Sequence, residues 1–133
     1  MKNHQSLYPN WERMYRFKMF NKAVLIGRLV RDPESRVTSS GISFARFTIA
    51  IDRIGGNAEN KVTDFINIVA WRRLAEIATQ FLKKGKLVAV EGALRIDEYE
   101  KEGQTREWVE VVADNFQMLD RSTDAPSTEN EIN

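Results

Sequence analysis

Phe65 and Trp71 are large aromatics six residues apart, at the two ends of a β-branched and aromatic run. Side chains alternate along a strand, so Phe65, Asn67, Val69 and Trp71 share one face and Ile66, Ile68 and Ala70 the other. Arg72, Arg73, Lys83, Lys84 and Lys86 follow closely. A sheet face with exposed rings, flanked by cations, suits bases stacked along a basic track. The same two aromatics would serve equally well in the core of a sandwich, and the residues alone leave both readings open.

Little else in the chain could do chemistry. There is no cysteine, which excludes disulfides and thiolate metal sites. The single histidine, His4, stands in a stretch without sustained periodicity. Asp52, Asp64, Glu76, Glu91 and Asp114 are scattered acids with no recurring spacing, and no glycine-rich phosphate loop is present. The expectation is a binding protein rather than an enzyme, with no metal and no cofactor. Net charge is only +1, so the overall balance says nothing about nucleic acid. Its distribution is uneven. Residues 1–18 carry net +3 through Lys2, Arg13, Arg16 and Lys18 against Glu12, and residues 122–133 carry net −3 through Asp124, Glu129 and Glu131. No apolar run approaches the ~20 residues that span a bilayer, and residues 1–18 lack the apolar core of a secretory signal.

The elements that must position Phe65 and Trp71 follow from periodicity. Residues 21–30 read as a first strand, with Gly27 marking a bend or bulge. Asp32-Pro33-Glu34 breaks it. Ile42 to Ile51 is a second strand, with Phe47, Ile49 and Ile51 on one face and Arg46, Thr48 and Ala50 on the other. Phe65 to Trp71 is the third. Leu74, Ile77, Ala78, Phe81 and Leu82 then recur at helical spacing, and Gly85 is expected to stop that helix. Lys86 to Ile96 is a fourth strand, with Gly92 marking another bend. Asp97 to Thr105 is a polar excursion, and Arg106 to Leu119 a fifth strand. On this last strand Val109, Val111 and Ala113 oppose Trp108, Glu110 and Val112, and Trp108 is expected only to pack. Three strands, one helix and two strands, with glycines inside the strands, form the pattern of a five-stranded Greek-key OB-fold barrel with its helix between strands three and four.

From about Met19 to Leu119 the chain resembles the bacterial single-stranded DNA-binding protein (SSB) family. The matching pieces are NKAVLIGRLVRDPESR, FTIAIDR, DFINIVAWRRLAEIATQFLKKGKLVAVEGALR and EVVADNFQML, in the right order and spacing. The resemblance implies an all-β OB-fold, a homotetramer, and sequence-independent binding of single-stranded DNA in replication, recombination and repair in the bacterial cytoplasm. It places stacking aromatics at Phe65, Trp71 and Tyr99. It places phosphate-contacting cations at Arg36, Arg73, Lys84 and Arg95, with Lys22 a weaker candidate. The alternatives are an accessory or primosome-type subunit acting through protein partners, and a single-stranded RNA binder.

Three features depart from the family pattern. Ile54-Gly55-Gly56 stands where the family commonly has an aromatic. The hairpin after Arg95 is rich in carboxylates, in Asp97, Glu98, Glu100 and Glu102, which repel a phosphate path. The sequence closes on Glu129-Asn130-Glu131-Ile132-Asn133 rather than on an acidic tip ending in Pro-Phe, which puts recruitment of replication and repair proteins in doubt. The organisation expected is an N-terminal extension over 1–18, an OB-fold domain over 19–121 and a short tail over 122–133, both ends disordered. Residues 1–18 are either dispensable ahead of a start at Met19, or an arm in which Tyr8, Trp11, Tyr15 and Phe17 contact DNA or a neighbouring subunit.

Overall fold

A computed structural model describes residues 19–55 and 58–120. The expectations for residues 1–18 and 122–133 lie outside the described residues. Among the described residues six strands and one helix follow in order: β1 (Ala23–Leu29), β2 (Glu34–Val37), β3 (Ser43–Asp52), β4 (Thr63–Trp71), α1 (Arg73–Phe81), β5 (Leu87–Lys101) and β6 (Gln104–Met118), with a short 3-10 turn at Ala58–Asn60.

The sheet runs β1-β5-β6-β4-β3, and β3 pairs again with β1, which closes a ring. All neighbours are antiparallel except β4 and β6, which run parallel through Asn67↔Glu110 and Val69↔Val112. This is the OB-fold barrel, with six strands instead of the expected five. The extra strand, β2, continues the line of β1 along β3. Val30 N–H still donates to Thr48 O at 3.0 Å, and pairing resumes with Glu34↔Arg46. Residues 31–33 bulge out between these two points, because Pro33 cannot donate to a ladder. Read together, β1 and β2 form one interrupted barrel strand.

The barrel interior holds Leu29, Phe47, Ile49, Ile68, Val88, Val90 and Val111, all nearly inaccessible. Ala78 of α1 and Leu82 just beyond it close the end of this core. The helix stops earlier than expected. Leu82 is already extended (φ −89°, ψ 140°), since that geometry swings its side chain into the core. Gly85 instead serves the turn that follows, at φ +88°, where its N–H donates to Leu29 O at 2.8 Å. Phe81 is left exposed at the rim.

The mid-strand glycines lie where backbones crowd. A Cβ on Gly27 would stand 2.6 Å from Ala50 O, where β1 passes from β5 to β3. Gly92 sits at the register shift between β5 and β6, where Glu91 faces Asn115 but Gly92 faces Ala113, leaving Asp114 as the extra residue of a bulge.

The polar excursion expected over 97–105 is regular structure. β5 and β6 stay paired out to Lys101↔Gln104. Glu102 and Gly103 take φ +54° and +78°, the two positive dihedrals that a type I′ two-residue hairpin turn requires. Both faces of this hairpin are solvated, so the alternation that marks a half-buried strand is missing from its sequence.

Candidate nucleic-acid interface

Cross-strand partners in a ladder share a face. On the outer face of the barrel, Phe44, Arg46, Thr48 and Ala50 of β3 stand beside Trp71, Val69, Asn67 and Phe65 of β4. β2 extends that face with Arg36 beside Phe44 and Glu34 beside Arg46. On the other side, Asn67 neighbours Glu110 of β6. Glu110, Trp108 and Arg106 stand opposite Arg95, Asp97 and Tyr99 of β5. Five predicted residues, Phe65, Trp71, Tyr99, Arg36 and Arg95, therefore reach one continuous sheet face.

The aromatics on this face differ in role. Phe65 is 63% exposed, with nothing gained for the core by its presence. Trp71 is half-buried, its ring 5.0 Å from that of Phe44 and tilted by 31°. At ~3.3 Å per residue the two β4 aromatics are about 20 Å apart. Tyr99 is exposed on the hairpin.

The cations divide into two groups. Arg36 Nη2 donates to Glu34 Oε2 at 2.7 Å. Arg95 Nε donates to Asp97 Oδ2 at 3.0 Å. Lys22 lies beside the start of β1 and bridges Glu91 (3.2 Å) and Asp114 (3.8 Å). Both of its nitrogen's carboxylate partners are therefore acids of the β5–β6 ladder and not of the β3–β4 pair that carries Phe65 and Trp71. Arg73 and Lys84 form no ion pair among the described residues. Arg73 opens α1 two residues after Trp71. The Lys84 backbone N–H donates to Asp32 Oδ1 at 2.8 Å, which fixes its turn against the β1–β2 connection.

Sequence reasoning missed three residues here. Arg46 places its guanidinium carbon 5.3 Å from the Phe44 ring and 5.9 Å from that of Trp108. Its Nε is 3.5 Å from Glu110 Oε1, and Trp108 Nε1–H donates to that same oxygen at 2.9 Å. Strand parity had already put Trp108 and Glu110 on one face and Arg46 on a non-core face. What it could not supply was the register that joins them.

Several exposed or half-buried carboxylates are held below the usual range. A hydrogen bond from Arg36 lowers Glu34, one from Arg53 lowers Asp64, and the Thr63 hydroxyl lowers Asp52. The Leu87 backbone N–H, at 2.7 Å, lowers Asp120 and ties the end of β6 to the start of β5. A carboxyl lowered in the folded state stabilises the fold above its ordinary titration range. That stability is lost as pH falls through the lowered value. Thermal melts are thus expected to show an unchanged Tm from pH 7 down to about 5 and a falling Tm below about 4. An acid-side rise in Tm would contradict these pairings.

Residues 20–119 match the model of the single-strand binding protein family. The chain belongs to that family. Relatives of the single-strand binding protein family include single-stranded DNA-binding protein 1 of Staphylococcus aureus (strain MSSA476), 46% identical over 109 residues that cover 80% of this chain and 70% of the relative. Single-stranded DNA-binding protein 2 of Streptococcus agalactiae serotype III (strain NEM316) is 43% identical over 116 residues, 86% of this chain and 88% of the relative. The single-stranded DNA-binding protein of Oceanobacillus iheyensis is 44% identical over 104 residues, 77% of this chain and 65% of the relative. The family match encloses every strand from Ala23 to Met118, so the aromatic sheet face lies wholly inside the family domain.

Proposed function

We propose that the protein coats single-stranded DNA by stacking bases on Phe65, Trp71 and Tyr99 and holding phosphates with Arg36, Arg73, Lys84 and Arg95. The observation that carries this reading is Phe65. A phenylalanine 63% exposed on a paired strand loses its hydrophobic contribution to folding, and a base ring would return it. Stacking accepts every base because every base has a π-face, so binding is independent of sequence. Lys22 is the weakest of the candidates, being already paired with two carboxylates.

The protein assembles as a homotetramer, acts in the bacterial cytoplasm in replication, recombination and repair, and uses no cofactor and no catalytic step. Assembly draws support from β1. Its residues Ala23–Gly27 pair only with β5, since pairing with β3 starts at Arg28. Val24 and Ile26 are exposed along that free edge, an arrangement that favours strand addition by another copy. Light scattering on the eluting peak tests this, with four chains expected and one chain contradicting it.

Affinity for a labelled oligo-dT, compared with oligo-U and with the matching duplex, tests the function. Preference for oligo-dT supports the reading. Preference for oligo-U would favour RNA, and absence of binding to any strand would favour a subunit that works through protein partners. The intramolecular ion pairs give a further expectation. DNA must displace Glu34 from Arg36 and Asp97 from Arg95. Glu34→Gln with Asp97→Asn is therefore expected to raise affinity and to steepen the slope of log K against log salt by up to ~0.7 per freed arginine. An unchanged slope would remove both arginines from the phosphate path.

A further inference from the structure

We propose that Trp108 is an additional base-stacking platform, held on the DNA face by the buried Glu110 and backed by Arg46. This rests on the single-stranded DNA reading above and assigns a residue that reading does not use.

Glu110 is 1% exposed on an outer sheet face. Burying a carboxylate is costly unless it is paired and hydrogen-bonded. Here one oxygen receives the Trp108 indole N–H at 2.9 Å and lies 3.5 Å from the Arg46 guanidinium. The indole is thereby fixed at its polar edge. Its body remains 37% exposed, so the ring is neither packed away nor free to turn. The Arg46 guanidinium lies between the Trp108 and Phe44 rings, and Phe44 lies against Trp71. A chain of π-faces and one cation thus crosses the sheet from β4 through β3 to β6.

Position supplies the second argument. Between the β4 aromatics and Tyr99 a strand must cross Asn67, Glu110 and Arg95, none of which is a ring. Trp108 stands on this crossing. It is opposite Asp97, one outward-facing position from the Arg106↔Tyr99 pair. It also forms a wall of an open groove of about 390 Å³, shared with Pro33, Glu34, Arg46 and Asn67. That volume lies in the range of sites that take small organic rings.

The test uses the three tryptophans, Trp11, Trp71 and Trp108. Two full-length proteins are made. Trp11→Phe with Trp71→Phe leaves Trp108 as the reporter. Trp11→Phe with Trp108→Phe leaves Trp71. Titration with oligo-dT is expected to quench both, at the concentrations where a labelled oligo binds. Trp108→Ala is expected to weaken binding by about 5- to 150-fold. Trp108→Phe should recover most of that loss, because it keeps a ring while dropping the N–H to Glu110. Quenching of Trp71 with a silent Trp108, or a folded Trp108→Ala protein of unchanged affinity, would overturn the proposal and leave the single-stranded DNA reading standing. A Trp108→Phe protein that loses as much affinity as Trp108→Ala would also overturn it, assigning Trp108 to structure alone. If neither tryptophan responds and no oligo binds, the single-stranded DNA reading itself fails, and this proposal with it.

Discussion

Phe65→Ala combined with Trp71→Ala is expected to weaken oligo-dT binding by ~2–6 kcal/mol, since each base–aromatic stack is worth ~1–3 kcal/mol. The two sites are about 20 Å apart along β4 and share no partner, so their effects should add to within a few tenths of a kcal/mol. The single changes differ in a useful way. Phe65 is exposed, so Phe65→Ala should cost affinity with almost no stability. Trp71 packs on Phe44 at 5.0 Å, so Trp71→Ala should cost some of both. Neither change removes a charge, and the salt slope should therefore stay fixed while the affinity falls. Anisotropy of a labelled oligo, with thermal melts as the control, measures all of this. A folded double variant that binds within threefold of the unsubstituted protein would take both residues out of the site.

Arg46→Ala is expected to cost ~2–4 kcal/mol of folding stability, a large effect for a half-exposed side chain. Its partner is the reason. Glu110 is buried and Arg46 is its counter-charge; with Arg46 gone, the Trp108 N–H is its remaining hydrogen bond. Some water can enter where the guanidinium stood, which keeps the figure below that for a sealed ion pair. Adding Glu110→Gln to Arg46→Ala should restore much of the loss, because a neutral amide needs no counter-ion. Urea unfolding of the two proteins measures it. A loss below ~0.5 kcal/mol for Arg46→Ala would mean that the pair is an ordinary surface contact.

The contrast between these two predictions reflects what a sequence can carry. The outward placement of Phe65 and Trp71 was legible because Ile66, Ile68 and Ala70 make the other face of that run wholly apolar, while their stacking role came only from the family resemblance. The face of β3 with Phe47 and Ile49 was legible for the same reason. β2 was not, because all four of its residues are exposed and Pro33 stands just before it. The outer hairpin was not, because neither of its faces is buried. Its polar residues resemble a loop, while its pairing is imposed by the barrel strands below and by the Glu102-Gly103 turn. Arg46, Glu110 and Trp108 are a third case. Parity assigns each one to an outward face, but Arg46 on β3 is more than sixty residues from Trp108 and Glu110 on β6. Only closure of the barrel fixes which outward residues become neighbours. The ion pairs that occupy Arg36 and Arg95 were hidden for a simpler reason. Glu34 and Asp97 are each two residues away on the same strand face, and a composition-level reading treats them as general acidity near the path.

Titration of intrinsic tryptophan fluorescence with oligo-dT at several salt concentrations tests the central claim most directly. It reports stacking and phosphate contact in one experiment. The expected result is saturable quenching, with log K falling linearly as log salt rises. A folded protein that shows neither quenching nor binding at any salt concentration would contradict single-stranded DNA as its ligand.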